Sequence, residues 1–261
     1  MNLSSNCITH YTNEFSKLTK LLDGVIYGSY CKEILRYNGE VIPRFIPMIS
    51  FCDMPIKTYT NVSSPYGKFG ISLTKKWATE NKLTPVLYID KNSRLIDNLV
   101  TSMKNSLTTL NIANQILKQN PKNIQITKNI TKSLEYLSYS LMYTKHYEDE
   151  LEREDFYNPN YRFYDEREWR YIPEFDCAVC ELKQTEEEFI TWRGNTKNKP
   201  ILNQVKLNFK ANDIENIIVE NDENRNLLIE VIKKSKLDFT DTSKEILISK
   251  ILTIKQIEQN L

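Results

Sequence analysis

Hydrophobic and polar positions change period twice along this chain. Short strand-like runs in the first third give way to helical spacing, and strands return in the last third. Near the start, residues 8–12 read as a short strand. Asn13 is placed to cap a helix over 14–22 whose apolar stripe is Phe15, Leu18, Leu21 and Leu22. Residues 24–28 form a second extended piece, and an apolar run over 46–52 halts at Asp53-Met54-Pro55. Residues 67–74 predict a strand running into a helix over 75–81, and residues 85–90 predict another strand.

From about residue 93 the pattern becomes helical. Leu95, Leu99, Met103, Leu107 and Leu110 recur at helical spacing, as do Leu134, Leu137 and Leu141, and Pro121 interrupts the stretch. Two or three helices inserted between strands are expected over about 93–155. Beyond them, residues 204–209 alternate as a half-buried strand does, and Ile217-Ile218-Val219 marks a buried strand over 214–220. Residues 224–234 predict an amphipathic helix with Leu227, Leu228, Val231 and Ile232 inward, and residues 245–254 predict a β-branched closing strand. Strands in clusters around a helical block predict an α+β fold rather than a wound parallel sheet. The 261 residues are read as a single domain carrying that insertion.

Composition narrows the function classes. Glycine is scarce at 6 residues, with neither a P-loop nor a GxGxxG pattern, so a glycine-rich nucleotide loop is not expected. A net charge of +1 gives no global attraction to nucleic acid or membrane. No apolar run approaches the ~20 residues that span a bilayer, and residues 1–12 lack a signal-peptide core. A cytoplasmic protein without membrane partners is expected. Cys7, Cys31, Cys52, Cys177 and Cys180 form no disulfide framework and suit reduced thiols. Cys177-Ala-Val-Cys180 is a metal half-site without a second half, so no metal is expected. Residues 101–147 carry six lysines against the single acid Glu135, a net of +5, before the chain turns acidic over 148–155. That block reads either as the wet face of the helices or as a contact for nucleic acid or a partner.

The chemistry concentrates in Tyr164-Asp165-Glu166-Arg167-Glu168-Trp169-Arg170-Tyr171-Ile172-Pro173. Read as a strand, it puts Glu166, Glu168 and Arg170 on one face and Arg167, Trp169 and Tyr171 on the other. Two carboxylates and a guanidinium together predict a cleft or a paired network. The plainer alternative is a solvated edge strand with an ordinary ion pair.

Several segments together resemble the AbiGi family of bacterial abortive-infection, or phage resistance, proteins. They are Ile8-Thr9-His10-Tyr11-Thr12, Ile49-Ser50-Phe51-Cys52-Asp53-Met54-Pro55, Tyr66 through Trp77 with its core Tyr66-Gly67-Lys68-Phe69-Gly70, Pro85-Val86-Leu87-Tyr88-Ile89, and Phe163 through Tyr171. The resemblance implies an antitoxin of a two-gene system whose partner toxin resembles a nucleotidyltransferase.

A looser resemblance is to proteins of the ADP-ribosyltransferase fold, which carry three motifs on three strands of a split β-sandwich. His10-Tyr11-Thr12, Ser72-Leu73-Thr74 and Glu166-Arg167-Glu168 occur in the order of those motifs. The resemblance implies an ADP-ribosyltransferase-like split sandwich with NAD as substrate. Glu168 would then stabilise the oxocarbenium-like ribose, and Glu166 would position the acceptor. His10, Tyr11, Thr12, Ser72 and Thr74 would line the cofactor site, with Ser50 competing for the place of Ser72. Arg170 would pair with diphosphate or neutralise Glu168, and Tyr11 or Trp77 would offer a stacking surface. His10 at the first motif departs from the Arg usual beside a Glu-x-Glu, and the plain reading of His10 is a core histidine bonded to backbone. Two functions follow from these resemblances. One is a phage-defence effector that transfers ADP-ribose from NAD to a macromolecular acceptor, protein or nucleic acid, or hydrolyses NAD. The other is a non-catalytic antitoxin that restrains its partner, with the basic helices as docking surface.

Overall fold

The computed structural model describes residues 5–56, 65–119, 124–153, 156–173, 187, 189–191, 205–235 and 240–260. In chain order the first part holds β1 (Cys7–Thr12), α1 (Phe15–Leu21), β2 (Val25–Tyr27), β3 (Ser29–Tyr37), β4 (Glu40–Cys52), β5 (Phe69–Thr74) and α2 (Lys75–Glu80). Next come β6 (Thr84–Pro85), β7 (Leu87–Ile89), α3 (Arg94–Gln119), α4 (Ile124–Met142), β8 (Thr144–His146), β9 (Asp149–Arg153) and β10 (Phe156–Tyr161). A 3-10 turn (Phe163–Glu166) leads into β11 (Glu168–Tyr171). The last part is β12 (Lys206–Asn208), β13 (Ile214–Val219), α5 (Asp222–Lys234), α6 (Asp241–Ser249), β14 (Ile251–Thr253) and α7 (Ile254–Asn260). The fold is mixed α+β.

Among the described residues the main sheet runs β14-β13-β5-β1-β4-β11-β6, with β3 joined to β4. Only the β13–β14 pair in it is parallel. β4 is long because it serves two sheets' worth of pairing. Its first part forms a hairpin with β3, and its last residues pair with β11 and β1. Asn38 and Gly39 close that hairpin with positive φ angles of 47° and 76°, the Asn-Gly signature of a two-residue turn matched to strand twist.

Alternation along the strands separates two faces. One face carries Ile8, Ile71, Leu73, Ile49, Phe51 and Ile217, which pack with Leu18 and Leu21 of α1, Trp77 of α2, Leu228 and Ile232 of α5 and Leu247 of α6. This is the main core. On the opposite face, Ile218, Tyr11 and Leu252 pack under Ile257 of α7.

The helical block consists of α3 and α4, placed between the parallel strands β7 and β8. Ile96, Val100 and Met103 of α3 and Leu134 and Leu141 of α4 pack with Leu35 and Ile42 of the β3–β4 hairpin and Ile89 of β7.

Several expectations need correction. The strand expected over 245–254 is mostly helix. Thr240 caps α6 by accepting a hydrogen bond from the Ser243 amide at 3.2 Å, Leu247 turns into the core, and only Ile251–Thr253 pairs as strand. Local capping and burial of one face outweigh the β-branched composition. The strand expected over 85–90 is split, with Thr84–Pro85 on β11 and Leu87–Ile89 on β8. α1 starts at Phe15 after Glu14, without a side-chain cap from Asn13. β3 had no expectation at all. Pro121, Cys177 and Cys180 lie outside the described residues, whereas Cys7, Cys31 and Cys52 are free thiols.

Gly67 shows how tightly one crossing is built. Its φ is +102°, and a Cβ there would lie 2.3 Å from the Thr12 carbonyl oxygen, which is backbone and cannot give way. Gly67→Ala is expected to cost about 1–3 kcal/mol, read as a lowered urea midpoint with unchanged slope. An unchanged midpoint would contradict this packing.

Candidate functional site

The site begins with the turn before β11. Residues 163–166 form a 3-10 turn rather than strand, and Arg167 takes a left-handed backbone with φ 46°. Strand alternation therefore starts only at Glu168, a correction to the strand expected from Tyr164. Glu166 still reaches the same place, because the turn folds back and the Asp53 amide donates to the carbonyls of Glu166 and Arg167, each at 3.2 Å. Glu166, Glu168 and Arg170 are all buried, so the solvated edge-strand alternative does not describe them. Trp169 and Tyr171 point to the other face, against the main core.

These three groups belong to a larger cluster. Lys145 of β8 donates to Glu166 Oε2 at 2.9 Å and Glu168 Oε2 at 2.8 Å. Arg170 grips Glu168 through Nε at 2.6 Å and Nη2 at 3.0 Å. It also reaches Glu33, with Nη1 at 3.0 Å from Oε2, and donates to the Met142 carbonyl at 2.6 Å. Glu33 lies opposite Arg44 in the β3–β4 register. Arg44 bridges Glu33 at 3.3 Å and the Thr144 carbonyl at 3.1 Å, and it also donates to Leu141 O. Tyr66 donates to Glu166 Oε1. The Glu168 amide donates to the Tyr88 hydroxyl at 2.8 Å. Three carboxylates thus face three cations, and the carbonyls at the end of α4 are tied into the same network.

Electrostatics sorts the two central carboxyls. Burial alone would raise Glu168, but Arg170 and Lys145 outweigh it and hold that carboxyl well below the usual range. Burial raises Glu166, with Lys145 opposing and Glu168 adding to the rise. Burial would lower Lys145, yet Glu166, Glu168 and Glu33 hold it above its ordinary value. Burial pulls Arg44 down to about 10. Burial and Glu166 push the Tyr66 phenol up, which keeps it a protonated donor.

The other predicted residues divide between the two faces. Ser72, Thr9, Cys52 and Glu168 fall in one register row across β5, β1, β4 and β11. The Thr9 and Ser72 hydroxyls are 2.8 Å apart. Ser50 lies opposite Arg170 in the same sense, and the Tyr11 ring lies against Gly70, where an added Cβ would be 2.9 Å away. His10 and Thr12 alternate to the core face, away from Glu168. His10 Nδ1–H donates to the Ser50 carbonyl at 2.9 Å, and its ring lies 5.5 Å from that of Phe51. Burial lowers the His10 pKa, so the ring is neutral. Thr74 caps α2 by accepting from the Trp77 amide at 3.1 Å. Trp77 is buried in the main core, with its indole N–H on the Asn208 carbonyl at 3.0 Å. The structure brings together Glu166, Glu168 and Arg170, and it does not bring His10, Thr12 or Trp77 to them.

Glu33, Arg44 and Lys145 were missed in the sequence. The first two were recoverable, since the Asn38-Gly39 turn fixes a register in which they face each other. Lys145 was counted among the basic residues of the helical block, and nothing local marks it as the partner of β11.

Replacing Lys145 by Met is expected to lower unfolding free energy by about 3–5 kcal/mol at neutral pH, because it leaves buried Glu166 without its cation and Glu168 with Arg170 alone. Glu168 contributes stability above the ordinary carboxylate value, and that contribution is lost as pH falls through its depressed folded value. The deficit of the variant should therefore be largest near neutrality and narrow below about pH 4. Urea unfolding across pH measures it, and a deficit constant with pH would contradict the pairing.

Comparison with known proteins agrees with the segments described in the sequence. A family model described as "Putative abortive phage resistance protein AbiGi, antitoxin" matches residues 25–220. A protein of Lactococcus lactis subsp. cremoris named "Abortive phage resistance protein AbiGi" is 27% identical, covering 87% of this chain and 95% of its own. No solved structure matches. On the match to three quarters of its length, this chain belongs to the AbiGi family of abortive phage resistance proteins.

Proposed function

We propose that this protein serves phage defence by abortive infection as a non-catalytic antitoxin, binding and restraining a partner toxin. The observation that carries the reading is the engagement of both candidate catalytic carboxylates. Glu168 is 4% exposed, and its two oxygens accept from Arg170 and Lys145; Glu166 is 1% exposed, and its oxygens accept from Tyr66 and Lys145. A carboxylate that stabilises a developing ribosyl cation must face the substrate in the transition state. These two face protein cations. The family description names an antitoxin, which agrees. Among the described residues no helix is long and apolar enough to cross a membrane.

A second reading keeps one supporting observation. The row Ser72–Thr9–Cys52–Glu168 places a hydroxyl pair and a glutamate in register on one sheet face, as an ADP-ribosyltransferase-like split sandwich acting on NAD would need. In that reading a macromolecule is the acceptor, Glu168 and Glu166 are catalytic, and Arg170 must release Glu168 when NAD enters. His10 and Thr12, on the other face, take no part.

One experiment separates them. Purified protein is incubated with NAD, with and without cell lysate, and nicotinamide release is followed beside Glu168→Gln. The expected result is no release above blank in either condition. Release that vanishes in Glu168→Gln would establish the transferase or glycohydrolase reading instead.

A further inference from the structure

The chain holds two histidines, His10 and His146, and their rings bond in opposite senses. His10 donates from Nδ1 to the Ser50 carbonyl at 2.9 Å, a bond that a protonated ring keeps. His146 does the reverse, because the Arg36 backbone N–H donates to its Nε2 at 2.8 Å. An amide can only donate, so Nε2 is bare and the ring proton sits on Nδ1. That nitrogen is buried toward the Ile89 carbonyl without a well-formed bond. A second proton has only Nε2 to go to, and there it meets another N–H.

The bond sits at a junction. Among the described strands β3 pairs with β4 alone, and the acceptor for the Arg36 amide is the His146 ring, which is 2% exposed. His146 ends β8 and directly follows Lys145, whose ammonium pairs with Glu166 and Glu168. A strand of three residues is thus tied in two directions, through Lys145 to the turn and β11, and through His146 to β3. The Arg36 side chain adds a second tie, with Nε 3.1 and 2.9 Å from the two Asp149 oxygens and Nη2 donating to Glu150. Several groups bear on a charge at the ring. Burial opposes it most, Asp149 of β9 and the Ile89 carbonyl of β7 favour it, and Arg44 of β4 and Lys91 beyond β7 oppose it.

We propose that His146 is a proton-operated latch at the root of the helical hairpin: a proton taken up at Nε2 expels the ring from the Arg36 amide and unfastens β8 from β3. Asp149, held by Arg36 and by Lys91 at 3.4 Å, is the counter-ion for the imidazolium. Its pairing with the charged ring competes for the Arg36 side chain and loosens the second tie as well. The latch stands whether the chain is an antitoxin or an enzyme. Burial makes the folded ring take a proton less readily than the unfolded one. The bond's contribution is therefore complete above about pH 6.5 and is lost as pH falls from there through the lower folded value.

The test is an NMR titration of the full isotope-labelled chain from about pH 8 to about pH 5, following the ring nitrogens and amide exchange together. Through-bond correlation assigns the two rings. At neutral pH the His146 ring should be the Nδ1–H tautomer. As it protonates, the Arg36 amide protection factor should fall about 10-fold in step with the ring. The Ile71 amide, inside the main sheet, should hold. His146→Gln supplies a side-chain carbonyl that accepts from the Arg36 amide and does not titrate, so Arg36 protection there should stay level. An Nε2–H tautomer at neutral pH would overturn the latch. So would wild-type Arg36 protection that stays level while His146 protonates, or that falls equally in the variant. The tautomer and the wild-type titration need no substitution, so they decide the matter even where His146→Gln does not fold.

Discussion

Three acids and three bases packed together at one junction fix how the helical hairpin leaves the sheet. Glu33 and Arg44 come from β3 and β4, Glu168 and Arg170 from β11, Glu166 from the turn before it, and Lys145 from the strand that follows α4. Each isolated charge would be expensive to bury, and each is offset by an opposite neighbour. Buried pairs add little net stability over apolar packing, but breaking one is costly. The cluster therefore penalises every arrangement that separates Lys145 from β11 or the end of α4 from Arg44 and Arg170. Hairpin direction follows from that. β4 presents Arg44 in its pairing with β3 and Cys52 in its pairing with β11.

The same cluster engages the carboxylates at which the sequence suggested chemistry. A Glu-x-Glu motif invites a catalytic role, and the register row to Ser72 has the layout such a role would use. Yet the Arg170 guanidinium, two residues on, takes the Glu168 carboxylate in a bidentate grip, and Lys145, 23 residues away in sequence but adjacent in space, donates to it as well. On the hairpin beyond Lys104, Ile112, Ile116 and Ile126 face solvent.

Most strands of the main sheet were legible because their apolar runs are short, bounded and buried on a face. β1, β5 and β13 read plainly from residues 8–12, 67–74 and 214–220. The two long helices were legible from the spacing of Leu95, Leu99 and Met103 and of Leu134, Leu137 and Leu141. β3 was not, since Tyr30, Lys32 and Arg36 interrupt the apolar pattern and only the Asn38-Gly39 turn announces it. Residues 245–254 misled because Ile246, Leu247 and Ile248 suit a strand as well as a helix, and the Thr240 cap decided the matter. At the site, Glu166, Glu168 and Arg170 were found for the wrong local reason in the case of Glu166, whose place depends on the left-handed Arg167. Lys145 could not be found, because its partners lie on another strand and no sequence period links them.

The proposed antitoxin reading has Glu168 serving the fold rather than a reaction. The double variant Glu168→Gln, Arg170→Gln removes the pair while leaving Glu33, Arg44, Lys145 and Glu166 in balance. Measured together, its unfolding free energy should lie closer to wild type than that of either single variant, and it should still rescue growth from the partner toxin. A double variant that regains stability but has lost protection would contradict the account, because it would show that the glutamate does something beyond holding its neighbours.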